Sequence, residues 1–219
     1  MQIEQKEIYY LTGPDLRSIQ NSSYLEIFKK EEIEVLYLDD PMDEFVLSSL
    51  NEYKEKKFIS VEQANIDYLK KSSQKSKADE PEKDKVQEQQ LNDLMGFMKL
   101  TLKDEVVDVI DSIRLVDSPA CLVNAENAPS SHVQKLLKMM NKETLNTKKI
   151  LEINLHNPII MNLAKLYQRD PVSDTLKEMI RQLYENSLVA ADGLIERPET
   201  MIKRIEKIMQ TTSELLIKE

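Results

Sequence analysis

Residues 173–218 read SDTLKEMIRQLYENSLVAADGLIERPETMIKRIEKIMQTTSELLIK, and the rest of the chain is organised around this stretch. Its apolar residues recur every three or four positions, which predicts two amphipathic helices. Gly193 can adopt the positive φ that follows a helix end, and Pro198 suits the first turn of the next helix. The first apolar stripe is Leu176, Met179, Ile180, Leu183, Tyr184 and Leu188. The second is Met201, Ile202, Ile205, Ile208, Met209, Leu215 and Leu216, with Lys203, Arg204 and Lys207 on the opposite side.

Two apolar stripes on one helical hairpin need a surface that covers them. The hairpin can pack on its own domain, or it can pair with the same hairpin of a second chain. The pattern alone does not choose between these arrangements. In the second arrangement, the residues of both stripes form a dimer interface.

Composition limits the classes of ligand that the chain can bind. The 219 residues include no Trp and 5% aromatic residues, which predicts aliphatic, methionine-rich cores. A net charge of −9 argues against nucleic acid as the main ligand, because phosphate binding needs a basic surface. Three glycines are too few for the phosphate-binding loops of nucleotide-binding folds. One cysteine, no signal peptide and no long apolar run predict a soluble, intracellular chain that does not contact membranes.

The first part of the chain, residues 1–69, alternates between strand-like and helix-like segments. Ile8–Leu11, Ile33–Leu38 and Phe58–Val61 are β-prone, and the second is apolar enough to predict a strand covered on both faces. Helices are expected between them, which predicts a small, largely parallel α/β domain.

The remainder is predicted to be a linker and a second domain. Residues 70–90 are rich in Lys, Ser, Glu, Asp and Gln, which indicates a charged, solvated linker or a frayed helix start. A helix is expected from about Val86 to Leu100. Residues 91–219 combine β-branched runs with helices, which predicts an α+β domain that ends in the helical hairpin. Its expected strands are Val106–Val116, Ala120–Val123 and Ile150–Leu155.

No group of side chains in the sequence predicts catalytic, metal-binding or cofactor-binding residues. His132 and His156 have no Cys or His at metal-ligand spacing. Cys121 lies inside an apolar strand and is interpreted as a small buried hydrophobe.

Asp40 has two interpretations. At the end of a predicted strand it could be the phospho-acceptor of a receiver-like domain. Pro41 directly after it instead indicates the start of a helix, for which Asp40 is a good cap. We favour the cap, because Thr12-Gly13 after the first strand lacks the acidic pair that a receiver has.

A further amphipathic helix is predicted over residues 130–141. Its apolar face consists of Val133, Leu136, Leu137 and Met140, widened by Met139. This face can cover the chain's own sheet. Since methionine side chains adapt their shape, it can also stay exposed and bind varied apolar partners.

Several segments carry a family resemblance. They are EIYYLTG (Glu7–Gly13), IEVLYLDDPMDEF (Ile33–Phe45), KFISV (Lys57–Val61), RLVDSPACLV (Arg114–Val123), ILEIN (Ile150–Asn154) and the closing Leu183–Arg204. Together they resemble the ninety-kilodalton heat-shock chaperone family (heat shock protein 90), particularly its bacterial members. The segments follow the family's order over nearly the whole chain, so the resemblance is specific.

The resemblance implies a homodimeric, ATP-driven chaperone. Residues 1–69 would be the small last part of its middle domain, and residues 91–219 its C-terminal dimerisation domain. The two closing helices of each copy would form a four-helix bundle, with both stripes in the dimer interface. Client proteins would contact Glu44, Phe45 and Ser48 on one helix, and Val133, Leu136, Leu137, Met139 and Met140 on another.

The resemblance also implies what this chain lacks. The family's nucleotide-binding domain and catalytic arginine have no counterpart here, so ATP and Mg²⁺ are expected only in a longer protein, of which this chain would be a piece. Expected partners are a second copy, non-native client proteins and co-chaperones. The chain does not end in the acidic pentapeptide of cytosolic eukaryotic relatives or in an endoplasmic-reticulum retention signal, which favours a bacterial, cytoplasmic protein.

Two positions depart from the family pattern. Glu32 stands where the family often has glycine, and Leu155 replaces a common proline. The sequence therefore predicts the dimerisation and client-binding module of a molecular chaperone that assists folding under stress. The alternatives are a passive dimeric scaffold and the receiver-like domain that uses Asp40.

Overall fold

The computed structural model describes residues 5, 7–40, 42–50, 52–63, 82–124, 148–191 and 195–218. The predicted helix at 130–141 lies outside the described residues. Of Glu44, Phe45 and Ser48, the structure describes the backbone alone.

The first part of the chain forms a four-stranded sheet. Its strands are β1 (Glu7–Thr12), β2 (Val35–Leu38), β3 (Glu52–Tyr53) and β4 (Lys56–Ser60), in the order β2-β1-β4-β3. β1 pairs in parallel with β2 and β4, and β3 pairs antiparallel with β4. The helices are α1 (Leu16–Gln20), α2 (Glu26–Lys30) and α3 (Asp43–Leu50), with a 3₁₀ turn at Ser23–Leu25. The parallel pairing is the one that the alternating sequence pattern predicts.

Two features of this sheet differ from the prediction. β2 was predicted to be covered on both faces, but it is an edge strand of the described sheet and Leu36 is 45% exposed. The β3–β4 hairpin was not predicted. Lys54 and Glu55 form its turn with φ of 49° and 62°, so the turn lacks the Asn or Gly that normally marks such a conformation.

The second part combines a three-stranded sheet with long helices. The strands β5 (Val106–Asp111), β6 (Ala120–Val123) and β7 (Lys149–Ile153) lie in the order β5-β7-β6. β5 is parallel to β7, and β6 is antiparallel to it. The helices are α4 (Glu82–Thr101), α5 (Pro158–Arg169), α6 (Asp174–Ala190) and α7 (Pro198–Lys218).

Helix α4 begins at Glu82, so of the two interpretations of residues 82–90, a solvated linker or the start of a helix, the structure supports the helix start. The physical reason lies in the composition. Glu, Lys and Gln are typical of solvated linkers, but they are also strong helix formers. Once Leu94 and Met98 are buried against the second sheet, the polar residues before them can continue the same helix.

The buried residues form two clusters. One packs α4, α5 and α6 on the second sheet and includes Leu94, Leu151 and Ile180. The other begins in the first sheet and its helices, with Tyr9, Leu11, Tyr24, Leu25 and Phe28, and continues into Leu115, Cys121 and Val123. The predicted boundary near residue 69 therefore does not separate two independent cores.

No helix within the described ranges is both long and apolar enough to cross a membrane.

Candidate dimerisation surface and the junction beneath it

Helix α6 turns its predicted stripe toward the chain's own core. Ser173 caps the helix, because its hydroxyl oxygen accepts the backbone N–H of Leu176. Leu176, Ile180 and Leu183 are at most 5% exposed and belong to the cluster on the second sheet. They leave no area for a second copy to cover, so their assignment to a dimer interface is wrong. Their spacing is the one expected of any buried helix, which is why the sequence could not separate the two arrangements.

The remaining members of the first stripe are half-buried. Met179, Tyr184 and Leu188 pack against the same cluster and keep part of their surface. Burial raises the pKa of the Tyr184 hydroxyl, and the nearby carboxylates of Glu105 and Glu196 raise it further. The role of these three residues in a dimer stays a prediction.

Arg204 of helix α7 forms two ion pairs with α6. Its guanidinium is buried and donates from Nε to Oε2 of Glu178 at 2.6 Å, and from Nη1 to Oε2 of Glu185. The sequence pattern places Arg204 on the side opposite the apolar stripe, and in the structure Arg204 is buried where that side of α7 faces α6. Met201 and Ile208, which precede and follow it at helical spacing, are half-buried on the same side of the helix.

The other side of α7 is an exposed apolar stripe. We call it the α7 stripe, and it consists of Ile202, Ile205, Met209 and Leu216, which are 54, 36, 65 and 68% exposed. The intervals of three, four and seven residues place them along one line of the helix. Leu215 lies beside this line and is 61% exposed.

A buried arginine joins the two parts of the chain. Arg114 is fully buried and donates to the Glu152 carboxylate through Nε (2.8 Å) and Nη2 (3.1 Å). It also donates to the backbone oxygens of Gln63 (2.6 Å) and Val61, which lie just after β4. The guanidinium thus bridges the end of the first sheet and the middle of the second, and its charge is balanced by Glu152.

A second contact at this junction is made by Glu26 at the start of α2. Its carboxylate accepts the backbone N–H groups of Val116 (2.6 Å), Asp117 (2.7 Å) and Ser118 (3.1 Å). Burial alone would raise the pKa of Glu26, but hydrogen bonds from the Ser118 hydroxyl and the three amides outweigh it and lower the pKa.

Asp40 lies in the turn just before α3, which begins at Asp43, and its hydrogen bonds there agree with the helix-start interpretation. Its Oδ1 accepts the backbone N–H of Met42 at 2.8 Å, and its backbone oxygen accepts the N–H of Asp43 at 3.0 Å. Among the described residues, no three His, Cys, Asp or Glu side chains are grouped so that they could hold a metal ion.

Cys121 is buried, as predicted, and burial raises the pKa of its thiol, with a contribution from the charge of Glu152. A neutral, enclosed thiol is a poor nucleophile.

Comparison with known proteins places the chain in a family. The family described as Hsp90 protein matches residues 1–219, and the chain therefore belongs to the Hsp90 family. This confirms the resemblance seen in the sequence segments.

The similar proteins are bacterial and carry the name Chaperone protein HtpG. One, from Oleidesulfovibrio alaskensis, is 36% identical over 207 residues, which is 94% of this chain and 32% of that protein. Another, from Desulfotalea psychrophila, is 39% identical over 214 residues, 95% of this chain and 33% of that protein. The chain thus spans about a third of the length of these relatives.

Proposed function

We propose that this chain is the homodimerisation and client-binding module of an ATP-dependent molecular chaperone. The name of its relatives supports the chaperone role. The observation that carries the dimerisation part is the α7 stripe, a line of exposed aliphatic side chains on a helix that is firmly held from its other side. ATP binding and hydrolysis would belong to other parts of the intact, cytoplasmic protein.

The energetics of the α7 stripe suit a symmetric pair. Fully burying one large aliphatic side chain contributes roughly 1.5–3 kcal/mol relative to leaving it in water. In a two-fold dimer, each residue of the stripe is buried twice, once on each copy. Because the four side chains are on average about half exposed, the gain is roughly 7–13 kcal/mol, which is comparable to the cost of association, about 4–15 kcal/mol.

The proposed dimer has a mechanical purpose. A permanent contact at one end of two long chains keeps their other ends at a high effective concentration, so that closure elsewhere becomes intramolecular. In this chain, α7 is fastened to α6 by Arg204, and α6 packs on the second sheet. The proposed dimer contact on α7 is therefore connected through α6 to the hydrophobic core of the second sheet.

The dimer is tested by replacing two residues of the α7 stripe. Ile205→Glu with Met209→Glu should turn a dimer into a monomer in sedimentation velocity at micromolar concentration, because two unpaired carboxylates would be buried on each side. Leu100→Glu is the matched control, since Leu100 is 72% exposed on α4, outside the hairpin. Finding the unchanged chain to be a monomer would refute the proposed interface, as would a dimer that survives both replacements.

Client binding is proposed on Glu44, Phe45 and Ser48 of α3 and on the predicted 130–141 helix, with co-chaperones as further partners of the intact protein. The chain should then slow the aggregation of a thermally unfolded model protein. Leu137→Ser should weaken this effect by removing an apolar contact. A chain that dimerises but leaves aggregation unchanged would instead be a passive scaffold.

A further inference from the structure

A cavity of about 170 Å³ lies at the carboxyl ends of the two central strands of the first sheet. β1 and β4 are parallel neighbours that end at Thr12 and Ser60, so both chains leave the sheet at the same edge. The chain leaving β1 runs through α1 to β2, whereas the chain leaving β4 meets the second sheet, where Gln63 forms a bridge with Asn124. Ligands of α/β sheets bind preferentially where the chain leaves adjacent strands in opposite directions.

The walls of this cavity, which we call the junction cavity, come from both parts of the chain. The end of β1 and helix α1 form one side, and the end of α6 forms another. The lining combines apolar side chains, hydroxyl groups and one carboxylate, which is the usual composition of a small-molecule site. The lining residues that matter most are Leu11, Thr12, Ile19, Ser22, Glu62 and Ala191.

Glu62 is the one charged side chain among the described residues that line the junction cavity. It is 4% exposed, and Nδ2 of Asn124 donates to its Oε2 at 3.0 Å. The backbone N–H of Asn124 also donates to the Glu62 carbonyl at 2.9 Å, so the residue is fixed in place. A carboxylate has about four acceptor positions, and one amide does not fill them. The buried carboxylate therefore favours a ligand that donates hydrogen bonds and carries positive charge.

The end of helix α6 favours a cation for a separate reason. The helix runs for 17 residues, Asp174–Ala190, and its C-terminus carries a partial negative charge that faces the junction cavity. Helix α1 would contribute the opposite charge from its N-terminus, but it has only five residues. Its N-terminus is also capped by Asp15, whose carboxylate accepts the backbone N–H of Ser18 at 2.8 Å. The cavity is therefore suited to a cation rather than an anion.

We infer that the junction cavity binds a small primary amine with a compact apolar body. The ammonium would donate to the Glu62 carboxylate, beside the hydroxyl groups of Thr12 and Ser22. The apolar body would lie against Leu11 and Ile19. The volume sets the size of the ligand, since an engineered apolar cavity of about 150 Å³ holds one benzene molecule.

A metal ion fits the junction cavity less well than an amine. Within the part of the chain that the structure describes, no three His, Cys, Asp or Glu side chains are grouped for a metal ion. An ammonium needs only acceptors, which one carboxylate and neighbouring hydroxyl groups supply. The inference goes beyond the proposed dimerisation and client binding and does not depend on either.

A bound amine would contact the first sheet and α6 at the same time. Because the ligand binds only the folded arrangement of these walls, it should stabilise the chain. At about ten times its dissociation constant, we expect the Tm to rise by about 3–6 °C.

The test titrates three probes of similar shape into the full chain at pH 7 by isothermal calorimetry. Benzylamine carries an ammonium, benzyl alcohol is neutral and benzoate is an anion. Benzylamine should bind with a dissociation constant of about 1 mM, as expected for a ligand of this size. It should bind about tenfold more tightly than benzyl alcohol, since a hydrogen bond between charged groups is lost in the alcohol, and benzoate should not bind.

Two variants separate the charge of the junction cavity from its shape. Glu62→Gln should weaken benzylamine about tenfold and leave benzyl alcohol within about twofold, because the amide oxygen can still accept from Asn124. Ala190→Leu, at an exposed position at the end of α6, should weaken both probes by filling space in the cavity. Glu88→Gln is the control, since Glu88 is exposed on α4 and does not line the cavity.

Benzoate that binds as tightly as benzylamine would overturn the inference, and so would benzylamine that neither binds nor raises the Tm at about 20 mM. Unchanged benzylamine binding in Glu62→Gln would also overturn it. If Glu62→Gln fails to fold, Ala190→Leu decides, because an amine bound elsewhere on the acidic surface would ignore a leucine in the cavity. None of these results bears on the dimer, which sedimentation velocity tests separately.

Discussion

Glu32 has a backbone conformation that favours glycine, although it carries a long side chain. It has a φ of 52°, in the left-handed region that costs an L-residue with a Cβ about 1–2 kcal/mol. The residue connects the end of α2 to β2, where its amide donates to the carbonyl of Lys29. The sequence resemblance had indicated a glycine at this position, and the structure gives the physical reason.

Glu32→Gly should therefore stabilise the chain. Relief of the left-handed strain outweighs the extra freedom that glycine gives the unfolded chain, so we expect a gain of about 0.5–1 kcal/mol, or roughly 1–4 °C in Tm. Differential scanning calorimetry measures this. Glu31→Gly is the matched control, because Glu31 has a φ of −89° and gains nothing from glycine; it should lower Tm. A lower Tm for both variants would contradict the explanation.

The sequence predicts the burial of some individual residues but not of others. The burial of Cys121 was predicted correctly, because it lies in a short run of apolar residues that forms a fully buried strand. Arg114 and Arg204 were not, because burial of an arginine depends on carboxylates and carbonyls that are 19 to 53 residues away in the chain. Such partners leave no periodic pattern. The spacing of apolar residues cannot reveal them.

At the scale of elements, the contact between α2 and the turn after Arg114 should be sensitive to acid. Glu26 has a lowered pKa in the folded chain, so it contributes stability that is complete above its unfolded value of about 4.5. This contribution is lost as the pH falls through the lower, folded value, because the protonated carboxyl is a weaker acceptor for three amides. Unfolding at low pH should therefore begin partly at this contact.

Glu26→Gln tests this directly. The amide oxygen retains some of the hydrogen bonds but not the charge, so we expect a loss of about 1 kcal/mol at pH 7. Urea denaturation at several pH values should show that the variant loses less stability than the unchanged chain as the pH falls below about 4.5. Glu196→Gln, at an exposed position between α6 and α7, is the control and should follow the unchanged chain. Parallel curves for Glu26→Gln and the unchanged chain would exclude the assigned role.

Helices and strands whose apolar residues repeat regularly along the sequence were predicted well. Features that depend on which strands pair with each other were not. The strands β1, β6 and β7 and the hairpin helices coincide with the predicted runs to within two residues, whereas β5 ends at Asp111, five residues before the end of its predicted run at Val116. The edge position of β2 and the short β3 depend on which strands pair, which hydrophobicity does not encode. For α7 the period predicted an apolar stripe correctly, but only the position of Arg204 shows which side faces α6.

At the scale of the whole molecule, the described parts form a continuous path from the first sheet to the hairpin. Arg114 and Glu26 join the first sheet and its helices to the second sheet. Leu115, Cys121 and Val123 extend the first core across the same junction. The second sheet in turn carries α6. Motion of the first sheet relative to the hairpin would require this junction to open.

Cys121 provides a way to measure that opening. It is the single cysteine of the chain, and it is buried beside Glu152, with Sγ 4.0 Å from Oε2. Because burial raises the pKa of the thiol, the closed junction holds neither an accessible nor an ionised sulfur. The rate at which a thiol reagent labels the folded chain therefore reports how often the junction opens.

Arg114→Met should greatly increase the labelling rate at Cys121. Removing the guanidinium leaves the Glu152 carboxylate buried without a counter-charge, which typically costs about 3–5 kcal/mol. This cost destabilises the closed junction relative to the open one. The labelling rate should then rise by about two to three orders of magnitude, since each 1.4 kcal/mol is tenfold. Lys99→Met is the control. It breaks the exposed Lys99–Asp108 pair, worth at most about 1 kcal/mol, and should change the rate less than about fivefold. Equal rates for the two variants would mean that Arg114 does not hold the junction closed, and that the first sheet and the hairpin are coupled by the apolar core alone.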